Sequence, residues 1–104
     1  GKLDEARHEL LVSLDIEKTF YACKQLGAIY MDQSKPQEAV VYLEDAIRLG
    51  ESTQQRSEAG YLLALAHVRQ SQAERAERAL NEVLNINPGF IPARDLLNRI
   101  KQSR

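Results

Sequence analysis

The chain repeats itself. Ala39 and Leu43 have counterparts in Ala76 and Leu80, 37 residues on, and in Ala6 and Leu10, 33 residues back. Leu26-Gly27 is echoed by Leu63-Ala64, and Ala46 by Val83. Within residues 20–49 the apolar positions fall at steps of three and four: Phe20, Cys23, Leu26, Gly27 and Tyr30, then Ala39, Leu43, Ala46, Ile47 and Leu49. Such steps make one stripe on a 3.6-residue helix. Ser34-Lys35-Pro36-Gln37 divides the two stripes as a stop and a restart. A helix–turn–helix unit of this kind cannot bury its apolar face alone, so it has to stack on its neighbours. The pattern predicts an all-α chain of about six antiparallel helices, each touching mainly the next.

Local signals place the helices. Ser34-x-x-Gln37, Ser52-x-x-Gln55 and Ser71-x-x-Glu74 read as capping boxes. Pro36 and Pro92 suit a first helical turn, where a missing N–H is harmless. Gly50 and Pro88-Gly89 read as stops. The resulting helices run over residues 17 to about 33, on to about Leu49, from Thr53 to about Gln70, on to Ile86, and through the segment after Phe90. Gly27 costs its helix about 1 kcal/mol against Ala. A close approach to the facing helix is the natural compensation, with Ala39 small on the other side. Residues 1–16 match the second half of a repeat, with Ala6, Leu10, Ser13 and Leu14 on the apolar side. Its first half is missing, which reads as a piece of a longer array.

Composition narrows the function classes. At 104 residues the chain makes one domain. Its 14 Lys and Arg balance 15 Asp and Glu, so it lacks the basic excess of a nucleic-acid or anionic-membrane surface. No apolar run approaches the ~18 residues of a membrane span. His67, His8 and the single Cys23 have no companions at zinc-ligand spacing, and no cofactor motif occurs. Cys23 and His67 fall among packing positions, and His8 on an outer helix face. A nucleophile needs a base and an orienting group, and the sequence supplies neither. The expected reading is a non-enzyme without metal or cofactor. Glu74-Arg75 and Glu77-Arg78 make a mixed-charge helix face, read as solvated.

The repeat resembles a known family. The tetratricopeptide repeat (TPR) pattern is W-x2-L-G-x2-Y…A-x3-F…P with a period of about 34 residues. This chain gives Cys23-x2-Leu26-Gly27-x2-Tyr30…Ala39-x3-Leu43, then Gly60-x2-Leu63-Ala64-x2-His67…Ala76-x3-Leu80…Pro88. The resemblance implies a right-handed helical-hairpin solenoid. Its parts would be a half repeat over 1–19, full repeats over 20–52 and 53–90, and a capping helix over 91–104. It also implies a protein-interaction role, with the first helices of successive repeats lining a concave groove. The groove residues would be Tyr21, Lys24, Ala28 and Met31, then Glu58, Tyr61, Leu65 and Val68, then Asp95 and Arg99. An apolar strip with a charged rim is the anatomy of a protein interface.

The partner expected is a protein or peptide segment. The carboxylate clamp of chaperone-binding TPR domains is matched by Lys24 but not by Ala28, Leu62, Pro92 or Leu96, so chaperone-tail binding is not expected. A pentatricopeptide-like RNA code is disfavoured by Leu65 and Val68 on the same face. The alternative from a different class is an assembly element that self-associates or spaces other domains. The degenerate repeats resemble bacterial assembly proteins, and the compartment stays open between cytoplasm and periplasm.

Overall fold

A computed structural model describes residues 1–16 and 19–103, with side-chain environments given outside 13–16. The described residues form six helices: α1 (Lys2–Ile16), α2 (Phe20–Asp32), α3 (Pro36–Leu49), α4 (Thr53–Arg69), α5 (Ala73–Ile86) and α6 (Ile91–Gln102). Each helix packs on the next in sequence, and α2 also touches α4. The body measures 40 × 28 × 17 Å. The chain is all-α, as its repeat predicts.

The core follows the stripes. Leu26, Leu43 and Leu80 are fully buried, as are Ala39, Ala64 and Ala76. Each such leucine contributes about 1.5–3 kcal/mol of burial. Gly27 sits where a Cβ would collide with the Leu43 side chain, so the close approach of α2 and α3 is real. The second hairpin solves the same problem one turn earlier. A Cβ on Gly60 would lie 2.5 Å from Val83 Cγ2. In the first hairpin Cys23 occupies the position of Gly60, and it packs with Ala46, the counterpart of Val83. His67 is buried in α4, as its packing position implies, and Cys23 is fully buried.

The helix ends correct part of the sequence reading. α2 starts at Phe20, not at residue 17, because Thr19 is extended and caps it: Ala22 N–H donates to Thr19 Oγ1 at 3.1 Å. Ser52 caps α4 as expected, accepting from Gln55 N–H at 3.0 Å, while Gln55 Oε1 accepts from Glu51 N–H at 2.8 Å. Ser34 and Ser71 do not cap the helices that follow. Both have positive φ, 59° and 58°. Lys35 N–H donates to Tyr30 O at 2.8 Å and Gln72 N–H to His67 O at 2.9 Å. Ser34 N–H and Ser71 N–H each donate at 3.0 Å, to Met31 O and Val68 O. This is the Schellman arrangement, with serine in the left-handed place that glycine usually takes. The two serines end helices rather than start them. Gly50 ends α3 in an extended conformation instead.

α1 docks through polar groups. Arg7 Nη1 donates to Gln33 Oε1 at 2.8 Å, and Gln33 Nε2 donates to Asp4 Oδ1 at 3.0 Å. The Arg7 guanidinium also lies 5.5 Å from the Tyr30 ring centroid. Ala6 and Leu10 are half-buried, whereas the Ser13 and Leu14 side chains lie outside the described residues.

Candidate functional site

Three helices position the residues that the sequence assigns to a groove. On α2, Tyr21, Lys24 and Ala28 fall at i, i+3 and i+7, which is one stripe. On α4, Glu58, Tyr61, Leu65 and Val68 do the same. Asp95 and Arg99 are one turn apart on α6, both exposed.

The first place where these residues meet is the α2–α4 boundary. Lys24 Nζ donates to Glu58 Oε2 at 2.9 Å, with both side chains 33% exposed. Gln54 Nε2 adds a 3.3 Å bond to the other Glu58 oxygen. The Lys24 hydrogen bond, aided by Gln54 and by the lysine charge, holds the Glu58 carboxyl below its ordinary pKa against an opposing desolvation. Lys24 Nζ also lies 6.0 Å from the Phe20 ring centroid. Beside this pair Tyr21 stands 69% exposed, a large amphipathic ring with little support from its own chain.

The second place is the far end of α4. Val68, 39% exposed, lines a groove of about 680 Å³ with Leu96, Arg99 and Ile100 of α6, rimmed by Ser71 and Ser103. Arg99 and Val68 thus share one surface, as the sequence implies. Leu96 and Ile100 belong to it too. The capping role implied for residues 91–104 leaves this open, because apolar spacing cannot say which side of a terminal helix stays uncovered.

Four predicted residues serve the core more than the surface. Met31 is only 5% exposed and packs in the main core, so it is withdrawn from the groove. It lies in the last turn of α2, where α4 closes over it and Arg69 Nη1 donates to its carbonyl at 2.6 Å. Tyr61 is half-buried and meets Phe90 edge-to-face, with ring centroids 6.3 Å apart. Leu65 is half-buried against the same core, and Ala28 is half-buried as well.

The hairpin stack and its paired small residues agree with the family comparison: the tetratricopeptide repeat family matches over residues 30–100. The chain belongs to the TPR family. No curated protein matches it. TPR repeats are non-catalytic modules that mediate protein–protein interaction. Among the described residues of this TPR chain, no group of three or more His, Cys, Asp or Glu could hold a metal ion. No described helix is long and apolar enough to cross a membrane.

Proposed function

We propose that this TPR domain binds a protein or peptide segment on the α2/α4/α6 face, without chemistry of its own. The observation that carries the reading is Tyr21, exposed beside the Lys24–Glu58 pair, on the same face as Val68. An exposed aromatic next to a fixed ion pair offers an anchor and an orienting charge. The Val68–Leu96–Ile100 groove offers apolar area, and Arg99 gives it a cationic rim. Asp95 lies on the same helix, within reach of a long partner segment. Met31 is left out, and Tyr61, Leu65 and Ala28 act chiefly as the floor.

Photo-crosslinking tests this face. A photoreactive residue at Tyr21 or at Val68 is expected to capture partner protein, and one at exposed Val41 on α3 is not. Capture from Val41 alone would reject the reading. The second reading, self-association, draws on Leu3 and Val12, which leave α1 with exposed aliphatic groups. Sedimentation over a wide concentration range separates the two: a constant monomer supports groove binding, and a concentration-dependent dimer lost in Val12→Asp supports assembly.

A further inference from the structure

A second groove runs on another side of α4, between α3 and α5. One end is a hollow of about 450 Å³ with Arg75 and Arg78 on the α5 wall, Glu44 on the α3 wall and His67 in the floor. The other end is a hollow of about 230 Å³ floored by Gly60 and walled by Ile47, Val83 and Ile86, with Arg56 at its edge. The two share Leu63, Ala79 and Glu82, so they form one continuous groove. From His67 back to Gly60 is two helical turns, about 10 Å.

His67 is the unusual part of the floor. It is 8% exposed, and its Nδ1 is sealed without a hydrogen-bond partner. The other ring nitrogen, Nε2, is the polar atom of this side chain left to serve the groove. Arg75, Arg78, Glu44 and Glu82 make no ion pair with one another among the described residues, although opposite charges face each other across the groove.

The lining is ordered along the helices. First comes a cationic band, Arg75 and Arg78 above His67. Next come Glu44 and Glu82, one on each wall. Last comes the apolar hollow over Gly60, walled by Ile47, Val83 and Ile86. We infer that this groove docks an amphipathic helix of a partner protein, bearing an acidic residue at i, a basic residue at i+4 and an aliphatic residue at i+7. These three positions share one face of a helix and span the same two turns as His67 to Gly60. A small anion does not fit the lining as well, because Glu44 and Glu82 stand between Arg75 and Arg78 at one end and Arg56 at the other. The inference does not depend on the α2/α4/α6 face.

The test uses the full chain and a fluorescein-labelled, lactam-stapled helix with Glu, Arg and Leu at i, i+4 and i+7 and Ala or Gln elsewhere, read by anisotropy. Saturable binding is expected. Arg75→Glu with Arg78→Glu, both at exposed positions, is expected to weaken it about tenfold or more. A probe with Lys at i should restore binding to that variant and bind the wild type poorly. Tyr21→Asp, which disables the other face, should leave probe affinity unchanged. No saturable binding at millimolar protein, or affinity indifferent to the charge reversal, overturns the inference. Self-association of the unliganded chain that Arg75→Glu/Arg78→Glu abolishes would assign the groove to a second copy and overturn it too.

Discussion

The two hairpins solve one packing problem with opposite distributions of volume. In the α2–α3 hairpin a cysteine faces an alanine at one level, and Gly27 admits Leu43 one turn on. In the α4–α5 hairpin Gly60 admits Val83 at the first level, and Ala64 takes the place of Gly27 at the second. Each hairpin places its one helical glycine against a large branched side chain of the facing helix, Leu43 in the first and Val83 in the second. At the first level the two hairpins thus keep nearly the same sum of side chains across the interface while exchanging the residues; at the second both keep leucine, facing glycine in one and alanine in the other. A stack built this way tolerates a degenerate sequence, provided that substitutions come in pairs.

The largest effect that can break this comparison comes from the positions the hairpins share. Leu43→Ala and Leu80→Ala each remove a fully buried leucine, and each should cost about 2–5 kcal/mol in urea unfolding. Similar losses at both sites support equivalent hairpins. A loss confined to one would make that hairpin the only core.

Exchange of volume is the sharper test. Gly60→Cys alone overfills the Val83 contact and should cost about 1–3 kcal/mol. Adding Val83→Ala rebuilds the pairing of the first hairpin and should return most of that loss. Strict additivity in this double-mutant cycle would contradict the paired-volume account.

The hairpins agree most closely at their turns. Ser34 and Ser71, 37 residues apart, adopt the same left-handed conformation. Glycine removes the steric cost of that conformation, so Ser34→Gly and Ser71→Gly should each raise stability by about 1 kcal/mol. An N-capping serine would show the opposite sign. Thermal melts of the two single variants decide between them.

The smallest effect is electrostatic. Glu58 has its folded-state pKa lowered, chiefly by the Lys24 hydrogen bond. Its contribution is present above the unfolded carboxylate pKa and is lost as pH falls through the lowered folded value. At a third exposed, the pair is worth about 0.2–1 kcal/mol. Glu58→Gln should therefore cost about that amount at neutral pH, make little difference once Glu58 is protonated in both the folded and the unfolded chain, and so flatten the acid limb of stability slightly. High salt should shrink the difference further.

Much of this fold is legible in the sequence because repetition averages over weak local signals. Leu26, Leu43, Leu63 and Leu80 recur in register, and their period fixes both helix type and stacking. The role of Gly27 follows from its cost inside a helix, which only a close neighbour offsets. The serines are less legible. Ser34 and Ser71 stand three residues before Gln37 and Glu74, so they satisfy a capping pattern, yet the preceding helix end claims them first. Thr19 was the reverse case: it caps α2 with an alanine at N3, so no box announces it.

The candidate face was legible by stripe and not by depth. Tyr21 and Val68 stand on the expected face and are exposed, whereas Met31 on the same stripe is sealed by α4. Spacing assigns a direction around a helix axis. It does not say how far along that axis a neighbouring helix reaches.

The central claim is that the α2/α4/α6 face, and not the core beneath it, carries recognition. The direct measurement is partner affinity and melting temperature for Tyr21→Asp with Val68→Asp, side by side with the wild type. Affinity is expected to fall at least about tenfold, the effect of losing an interface anchor, with melting nearly unchanged. Undiminished affinity in a fully folded variant would contradict the claim and move recognition to another face of the stack.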